Sequence, residues 1–358
     1  TEFAIHVRNA WDAGDAVFPI DQRLPQAAKN ALVAQIKPSL VIDETGNIVK
    51  SSDSEPTENH DALVIATSGS TGTPKGVVHT HESIQALLNL SQARLNTDSS
   101  THWLLCLPVS HVAGFSVLAR SILFGNPISI LPTFEEADVL AKVNAGATHV
   151  SLVPTTLRRV DPAIFEMILL GGAAAPPDLP SNVITTYGMT ETFGGIAYNG
   201  EPLDGVEIRI RHELIEVHTP SLFRTYRSSE QPTLVDGWYP TGDSGRFNDN
   251  VLQVFGRLDD MIISGGENIW PNLLEQSMSQ HPLVSAVAVK GVADDEWGER
   301  VVSWVVPQDP NNPPKLSDIR EHVALTLPKF YCPKELKILQ SLPVTSLGKT
   351  DKRALPSS

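Results

Sequence analysis

The chain has 358 residues, of which 41% are hydrophobic, so a large domain and a smaller one can both bury a core, which argues against global disorder. The formal net charge of −14 argues against nucleic acid or an anionic membrane surface as the main partner, because either would require a basic face. The two cysteines, Cys106 and Cys332, have no metal-ligand spacing and favour a reducing, cytoplasmic location. No signal-peptide pattern is visible at the N-terminus. Arg120 and Pro127 interrupt the most apolar stretch, 112–131, which predicts a buried helix and strand and no membrane span.

The first informative feature is a glycine-rich stretch that follows a predicted strand. Residues 1–60 predict little beyond a short helix at Gln26–Ile36, and the apolar run Ala62–Ala66 then predicts a buried strand. It leads into Thr67–Gly76, which reads Thr-Ser-Gly-Ser-Thr-Gly-Thr-Pro-Lys-Gly. Its glycines let backbone N–H groups turn inward, and it also carries short hydroxyl side chains and one lysine. This combination is typical of a loop that holds polyphosphate. It is not a Walker loop, because Pro74 precedes the lysine and no hydroxyl follows it; the alternative is a flexible linker.

Helices and strands are predicted to alternate after this stretch. Ile84, Leu87, Leu88 and Leu95 fall at helical spacing behind a Thr80 cap. Strands are predicted at Trp103–Leu107, Ile128–Leu131, His149–Val153, Met167–Leu170 and Val183–Thr186. This alternation predicts an α/β fold with a mainly parallel sheet, whose ligand sites lie at the strand ends.

The pattern changes twice in the second half of the chain. From Val206 the apolar residues alternate, with Val206, Ile208 and Ile210 on one face and Leu214–Val217 after a turn, which predicts antiparallel sheet. Beyond a boundary near residues 257–260 we expect a smaller α+β region of about a hundred residues. Its predicted elements are helices at Asn272–Ser279 and Leu316–Leu325 and strands at Val284–Val292, Val301–Val306 and Glu335–Leu339. The sequence therefore predicts two domains, 1–258 and 259–358.

Three short motifs carry candidate chemistry. Tyr187–Thr192 follows a predicted strand, so the Thr190 hydroxyl and the Glu191 carboxylate would lie at its carboxyl end, where a carboxylate suits Mg²⁺. The alternative is a turn with a solvated glutamate. Asp243 follows a predicted tight turn and could accept both hydroxyls of a ribose, although surface turns commonly carry aspartate. Ser264–Ile269 contains a Gly-Gly pair that permits close backbone approach to a ligand or forms a hairpin turn.

Together with Gly256–Asp260 and the C-terminal Pro343–Lys349, these motifs resemble the adenylate-forming superfamily, which includes acyl-CoA ligases, luciferases and peptide-synthetase adenylation domains. With the glycine-rich stretch, they occur in the expected order from Thr67 to Lys349, which is about four fifths of the chain. The resemblance implies a large N-terminal AMP-binding domain, a mobile C-terminal domain, and ATP, CoA and a carboxylic acid as substrates with Mg²⁺ as cofactor. The ATP phosphates would be held by Thr67, Ser68, Gly69, Ser70, Thr71, Gly72, Thr73 and Lys75. The adenine pocket would be lined by Gly171, Gly172, Ala173, Thr186, Tyr187 and Gly188.

The resemblance also implies roles around the reacting phosphorus. Thr190 would touch the α-phosphate, Glu191 and Thr67 would bind Mg²⁺, and Lys349 would be the catalytic lysine. Asp243 and Arg257 would hold the ribose. Asp259 would be the hinge between the domains, and Gly265 and Gly266 would face the pantetheine arm of CoA. Negative charge grows on the phosphoryl oxygens when a carboxylate attacks the α-phosphorus of ATP, so an ammonium group stabilises that transition state. Lys349 is therefore expected to act electrostatically and not as a nucleophile.

A closer resemblance concerns the acid. The strings 151–159, 169–176 and 186–195 are similar to o-succinylbenzoate-CoA ligases of menaquinone biosynthesis, particularly the short actinobacterial type. Such a substrate carries a second carboxylate, for which Arg159 is the candidate partner, while Arg158 is assigned to solvent. His111 lies in the motif that gates the acyl site, or it is a structural histidine, and Gly194 either makes room for a flat ring or forms a turn.

Other functions stay open at this point. Gly256–Glu267 also resembles chlorobenzoate-type ligases, which makes a benzoate-like monocarboxylate the alternative substrate. A carrier-protein-dependent adenylation enzyme is a second alternative, although no carrier segment follows Lys349 in this sequence. A nucleotide-binding regulator would be expected to lack Lys349 or Glu191, and both are present. A homodimer is one expected oligomeric state.

Overall fold

The computed structural model describes residues 2–43, 45–67, 75–173, 175–176, 178–227, 233–344 and 350–356. The chain separates into two compact units. The first consists of Thr1–Arg209, Val217–Tyr239 and Asp249–Leu252, and the second of Ile210–Glu216, Pro240–Asn248 and Gln253–Ser358. The mixed α/β fold class is confirmed, whereas the boundary after residue 258 and the mobility of the C-terminal domain remain predictions.

The α-helices in the described ranges are α1 Glu2–Asp12, α2 Gln26–Ile36, α3 His81–Leu95, α4 Val112–Phe124, α5 Glu136–Asn144, α6 Pro154–Leu157, α7 Pro271–Ser279 and α8 Leu316–Val323. Short 3₁₀ helices span Pro162–Ile164, Thr190–Thr192, Leu258–Asp260 and Lys329–Tyr331. The first eleven strands are β1 Leu40–Ile42, β2 Ile48–Lys50, β3 Asp61–Thr67, β4 Lys75–Thr80, β5 Trp103–Leu105, β6 Ile128–Ile130, β7 His149–Leu152, β8 Met167–Leu170, β9 Val183–Met189, β10 Gly194–Tyr198 and β11 Glu201–Pro202. The remaining strands are β12 Glu207–Arg211, β13 Leu214–His218, β14 Thr225–Tyr226, β15 Tyr239–Asn248, β16 Val251–Arg257, β17 Ile262–Ser264, β18 Glu267–Ile269, β19 Val284–Asp294, β20 Gly298–Pro307 and β21 Glu335–Ile338.

A seven-stranded sheet of order β11-β10-β9-β8-β7-β5-β6 forms the centre of the first unit. Strands β6, β5, β7, β8 and β9 pair in parallel, and β10 and β11 add antiparallel strands at one edge. Helix α4 packs on β5, β6, β7 and β10, and its buried Phe115, Val117 and Leu118 cover the sheet. The mainly parallel sheet predicted from the sequence is therefore confirmed, and its carboxyl edge is the place to look for a site.

A second sheet of order β14-β4-β3 lies in the same unit, and its middle strand was not predicted. Lys75–Thr80 pairs with β3 over its whole length, so the glycine-rich stretch connects two antiparallel strands and not a strand and a helix. The helix predicted behind Thr80 is confirmed as α3. The Thr80 hydroxyl accepts the Ser83 N–H at 3.1 Å, and the Ser83 hydroxyl accepts the Thr80 N–H at the same distance, forming a capping box.

Strands β12, β13, β15 and β16 form a four-stranded sheet in that order. The predicted antiparallel alternation is present, with the turn at His212 and Glu213, both at positive φ. As predicted, Asp243 follows a tight turn, which the bridge between Val235 and Trp238 closes. It lies inside β15, four residues after the strand begins.

The second unit contains a five-stranded sheet of order β18-β17-β20-β19, with β21 parallel to β20. Helix α7 packs on β19 and on α8, and Leu274, Met278 and Ile319 form its core with strand residues. Gly265 and Gly266 connect β17 and β18 at φ values of +62° and +82°, which is a hairpin turn. In the described ranges, no helix has both the length and the hydropathy that crossing a bilayer requires.

Candidate active site

The carboxyl end of β9 holds the first part of the candidate site. The strand continues through Met189, so Tyr187 and Gly188 belong to it, and Thr190 and Glu191 begin the 3₁₀ helix that follows. The prediction that a hydroxyl and a carboxylate lie at a strand end is confirmed, although the strand is three residues longer than expected. Pairing with β10, the next strand in the sequence, accounts for the extra length.

Close backbone approach fixes this turn. Gly188 pairs with Gly195 across β9 and β10, and a Cβ atom at Gly188 would lie 1.8 Å from the carbonyl oxygen of Gly194. The Thr192 hydroxyl donates to the Gly194 carbonyl at 2.7 Å, and Phe193 adopts a left-handed φ of +58° while its ring is buried. Only glycine fits at 188, so the course of the backbone into Thr190 is set by a steric requirement.

His79 holds the same turn from the neighbouring sheet. Its Nε2 lies 2.7 Å from the Thr190 carbonyl oxygen and its Nδ1 lies 3.2 Å from the Ser83 hydroxyl, which assigns the ring proton to Nε2. Burial lowers the pKa of His79 to about 4 despite the Thr190 contact, so the ring is neutral near pH 7. The ring also meets Phe193 edge to face at 5.3 Å between centroids.

The Glu191 carboxylate contacts one tyrosine, which is hydrogen-bonded to a second. The Tyr226 hydroxyl donates to Glu191 Oε1 at 3.1 Å, and the Tyr239 hydroxyl lies 3.0 Å from that of Tyr226. Burial, followed by the nearby charge of Glu191, raises the pKa of Tyr226 far above its usual value, so this phenol stays protonated and can donate. The Lys75 Nζ lies 5.0 Å from the centre of the Tyr226 ring, within the range of a cation–π contact.

The two ends of the glycine-rich stretch therefore meet beside Glu191. Thr67 and Lys75 face each other as the last register pair of β3 and β4, and the Thr67 hydroxyl donates to the Lys75 carbonyl at 3.3 Å. The structure brings together Thr67, Lys75 and, through Tyr226, Glu191. The other predicted phosphate-binding residues, Ser68, Gly69, Ser70, Thr71, Gly72 and Thr73, lie outside the described residues.

The predicted adenine-pocket residues lie just after β8 and within β9, which are neighbours in the seven-stranded sheet. Gly171 follows β8, and a Cβ atom there would lie 2.6 Å from the Thr186 hydroxyl, which itself donates to the Leu170 carbonyl at 3.2 Å. Gly172 adopts a φ of +82°, and Ala173 is exposed. The end of β8 and the middle of β9 are thus in direct contact at Gly171 and Thr186.

Asp243 and Arg257 form an ion pair within the second unit. The Arg257 Nη1 lies 3.6 Å from Asp243 Oδ1 and donates to the Thr241 carbonyl at 2.9 Å. The Thr241 hydroxyl accepts the Asp243 N–H at 3.0 Å, which fixes the strand at this point. Asp243 is largely buried, while the Arg257 side chain is half exposed, so the predicted ribose pair is assembled as a unit with its cation accessible.

Comparison with known proteins identifies the family. The AMP-binding enzyme family matches residues 15–213, and the AMP-binding enzyme C-terminal domain matches residues 273–349. The chain belongs to the AMP-binding enzyme family.

Relatives of this AMP-binding enzyme share most of its length. The probable 2-succinylbenzoate–CoA ligase of Mycobacterium tuberculosis is 37% identical over 321 residues, covering 82% of this chain and 83% of that protein. The 2-succinylbenzoate–CoA ligase of Listeria monocytogenes is 31% identical over 328 residues, covering 82% and 69%. The structure of o-succinylbenzoate CoA synthetase (MenE) from Bacillus subtilis with its acyl-adenylate intermediate superposes with a TM-score of 0.79 at 27% identity, covering 99% of this chain and 81% of that one. ATP-bound MatB from Rhodopseudomonas palustris, at 21% identity and a TM-score of 0.86, shares the fold.

The predicted acid-binding residues of this AMP-binding enzyme lie in different surroundings. Arg159 is half exposed, 3.3 Å from Glu136 and 3.8 Å from Glu135, with its guanidinium over the Phe134 ring. His111 is the N-cap residue of α4. Gly194 adopts a φ of +129°, with Leu87 facing its α-carbon. Arg158 is exposed, as predicted.

The remaining predicted residues belong to the second unit of this AMP-binding enzyme. Asp259 lies in the 3₁₀ helix Leu258–Asp260, and Gly265 and Gly266 form the hairpin turn described above. A Cβ atom at Gly265 would lie 2.9 Å from Trp297, whose ring also lies under the Lys334 ammonium at 3.6 Å. Lys349 lies outside the described residues.

Sequence reasoning missed His79, Tyr226 and Tyr239. Each contacts a residue that is not its neighbour in sequence: His79 meets Thr190 across 111 residues, Tyr226 meets Glu191 across 35, and Tyr239 meets Tyr226 across 13. The available signal for His79 was its place directly before the Thr80 cap, at the end of an apolar run. No local pattern marks either tyrosine.

Proposed function

We propose that this chain is an AMP-forming ligase that activates o-succinylbenzoate and transfers it to CoA. In the first half-reaction a carboxylate oxygen attacks the α-phosphorus of ATP, which forms the acyl-adenylate and releases pyrophosphate. In the second, the CoA thiol attacks the acyl carbon, which forms the thioester and releases AMP. The observation that carries the proposal is the extended similarity to proteins named as 2-succinylbenzoate–CoA ligases, together with Lys75 and Glu191 assembled around Tyr226.

The chain's own groups can perform the first half-reaction. The charge that develops on the phosphoryl oxygens would be met by Lys75, by the Thr190 hydroxyl and by Lys349. The ribose hydroxyls would be bound by Asp243, whose backbone is fixed by Thr241. The phosphates of ATP are negatively charged, and the chain has a net charge of −14, so the chain as a whole repels them. The positive charges of Lys75 and Lys349 would supply the attraction locally.

The residues around Glu191 fit a magnesium ion that takes most of its ligands from the phosphates of the nucleotide and few from the protein. Magnesium takes one or two carboxylates and completes its shell with phosphate oxygens and water. In the described ranges, no cluster of three or more His, Cys, Asp or Glu side chains is arranged to hold a metal by itself. Glu191 and the Thr67 hydroxyl, which lie near Lys75, would hold the ion in this arrangement. A bound Mg²⁺ would neutralise charge on the phosphates and on the leaving pyrophosphate.

The second half-reaction would use a different arrangement of the same chain. We propose that the segment after residue 258 forms a mobile domain that turns at Asp259, withdraws Lys349, and presents the Gly265–Gly266 turn to the pantetheine arm of CoA. The turn carries no side chains beyond hydrogen, which suits close approach by a narrow ligand. We also propose a cytoplasmic location, because Cys106 and Cys332 are both unbridged thiols. The homodimer remains a prediction that sedimentation can test.

Arg159 is the proposed partner of the aromatic carboxylate. Its side chain is 44% exposed and its guanidinium already lies near Glu135 and Glu136, so a substrate carboxylate would compete with two exposed acids. The Arg159→Ala variant should lose about tenfold or more in kcat/KM for o-succinylbenzoate and little for benzoate, since a charge-assisted hydrogen bond contributes roughly 1.5–3 kcal/mol. Arg158→Ala is the control at the adjacent exposed position. Equal losses on both acids would remove this role.

A benzoate-type monocarboxylate is the second candidate substrate, and the ion pairs of Arg159 favour it, because a monocarboxylate needs no second cation. Pyrophosphate release, measured with a panel of acids in the presence and absence of CoA, distinguishes the two candidate substrates. The proposal predicts strong preference for o-succinylbenzoate and conversion to thioester when CoA is added. Better turnover of simple benzoates would favour the second candidate. Pyrophosphate release without any thioester would favour a carrier-protein acceptor.

A further inference from the structure

Resting on the proposed function, we propose that Tyr226 and Tyr239 form a two-phenol relay that positions the Glu191 carboxylate to receive the magnesium complex of ATP. Both tyrosines are positioning residues in this scheme, since they act through Glu191. The proposal assigns a purpose to two hydroxyl groups that are brought to the carboxylate from distant points of the chain.

The direction of the hydrogen bonds follows from the donor inventory. An ionised carboxylate can only accept, so the single proton of Tyr226 points to Glu191 Oε1 at 3.1 Å. The Tyr226 oxygen then has only lone pairs left, so Tyr239 donates to it at 3.0 Å. The relay therefore runs from Tyr239 through Tyr226 to Glu191.

One buried residue holds both rings and the glutamate backbone. Phe223 lies with its ring centre 4.6 Å from that of Tyr226 and 5.5 Å from that of Tyr239. Its backbone N–H donates to the Glu191 carbonyl at 2.7 Å. The phenols and the carboxylate are thus fixed against a common support, so the orientation of the carboxylate is set before any ligand arrives.

Tyr226 also connects Glu191 to the start of β4. It pairs with Val77 in the register of β14 and β4, and its ring carries the Lys75 ammonium at 5.0 Å. A phosphate-binding cation and a metal-binding carboxylate therefore share one phenol between them. This arrangement places one charge at the Tyr226 hydroxyl and the opposite charge over the Tyr226 ring, which suits a ligand that carries both phosphate oxygens and a cation.

The test compares nucleotide binding with and without the metal. Affinities for ATP are measured by calorimetry in excess Mg²⁺ and in chelator for the wild type, Tyr226→Phe, Tyr239→Phe and the double variant. Each substitution removes one hydroxyl and keeps the ring, so the Phe223 packing and the Lys75 contact are retained. Tyr331→Phe, whose hydroxyl contacts the Trp270 N–H in the second unit, is the matched control.

The relay predicts that Tyr226→Phe weakens binding of magnesium-ATP roughly 10-fold or more, as expected when the partner of a ligating carboxylate is lost, and changes metal-free ATP by less than about twofold. Tyr239→Phe should have a smaller effect of the same kind, and the double variant should match Tyr226→Phe, because a relay is not additive. Equal weakening of both nucleotide forms, an additive double variant, or unchanged affinity would overturn the proposal. If Tyr226→Phe does not fold, Tyr239→Phe alone still decides between metal-dependent and metal-independent loss.

Nucleotide binding does not depend on the identity of the acid. A wild type that binds magnesium-ATP but converts no o-succinylbenzoate would overturn the proposed function and leave the relay to be judged by the calorimetry. If the wild type converts the acid but Tyr226→Phe shows no metal-dependent loss of ATP affinity, the relay is overturned and the proposed function stands.

Discussion

Thr67 and Lys75 face each other across β3 and β4, so the two ends of the glycine-rich stretch lie side by side in a paired sheet. The Thr67 hydroxyl donates to the Lys75 carbonyl, and the Lys75 ammonium lies over Tyr226 beside Glu191. A strand pair thus fixes both attachment points of the residues that we propose to hold the phosphates of ATP.

The first prediction concerns the charge of Lys75. Lys75→Met should weaken ATP binding about tenfold or more, because a hydrogen bond to a charged group contributes roughly 1.5–3 kcal/mol. Equilibrium binding of ATP measures this loss. Lys50→Met, at an exposed position of β2 in the same unit, should leave the affinity unchanged. If both variants bind ATP as the wild type does, Lys75 does not contact the nucleotide.

The second prediction concerns the steric requirement at Gly188. Gly188→Ala places a methyl group 1.8 Å from the Gly194 carbonyl oxygen, so β9 and β10 must separate. We expect the free energy of unfolding to fall by about 1–3 kcal/mol or more, as overpacking does elsewhere, with a loss of ATP binding. Gly125→Ala is the control, since Gly125 has a φ of +73° and open space around it. That variant should cost about 1 kcal/mol of backbone strain and leave ATP binding unchanged. Equal effects of the two substitutions on ATP binding would count against the proposed turn.

The third prediction concerns pH and His79. Burial lowers its pKa in the folded chain to about 4, below the unfolded value of 6.5. Below pH 6.5 the unfolded chain therefore takes up a proton that the folded chain does not, so stability is lost as the pH falls from about 6.5 to about 4. From pH 7 to pH 5 this single group should cost about 2 kcal/mol.

Urea unfolding at the two pH values, on the wild type and on His79→Gln, isolates this contribution. The glutamine side chain can still donate to the Thr190 carbonyl but does not titrate, so the variant should lose about 2 kcal/mol less than the wild type between pH 7 and pH 5. The same pH dependence in both proteins would mean that His79 is not held neutral by the fold.

The fourth prediction separates the two half-reactions at Lys349. Lys349→Ala should slow formation of the acyl-adenylate by about 10²- to 10³-fold, by analogy with the loss of a single transition-state donor. Thioester formation from chemically prepared acyl-adenylate and CoA should change little, because we propose that the lysine is withdrawn in that step. Lys290→Ala, at an exposed position of the second unit, is the control for a lost positive charge. A variant that forms the adenylate at the wild-type rate contradicts the assignment.

Local patterns predicted most elements of the fold and the position of the carboxylate. Apolar runs predicted strands β3, β5, β6, β7 and β8, and the Thr80 cap predicted the start of α3, because each depends on residues close in sequence. The pairing of one strand with another could not be predicted in the same way, because it does not follow from the apolar pattern of either strand alone. Strand β4 is short and pairs with β3 across the glycine-rich stretch, and β9 continues past Thr186 because β10 pairs with it.

The same difference between local pattern and tertiary contact separates the site residues that could be predicted from those that could not. Glu191 and Lys75 could be predicted because they lie in recognisable motifs, whereas Tyr226 and His79 join the candidate site through contacts that only the tertiary structure creates. The position of Asp243 inside a long strand could not be predicted, because β15 contains proline and glycine, which are uncommon in strands. The ion pairs of Arg159 with Glu135 and Glu136 were also invisible, since they join α5 to the residues after α6.

Oxygen-isotope transfer tests the central claim of acid activation most directly. The enzyme would be given ATP, CoA and o-succinylbenzoate with ¹⁸O in its succinyl carboxylate, and the products would be analysed by mass spectrometry. Attack of a carboxylate oxygen on the α-phosphorus, followed by cleavage of the acyl–oxygen bond by the thiol, places one labelled oxygen in AMP. Label in inorganic phosphate with release of ADP, or AMP without label, would contradict the account.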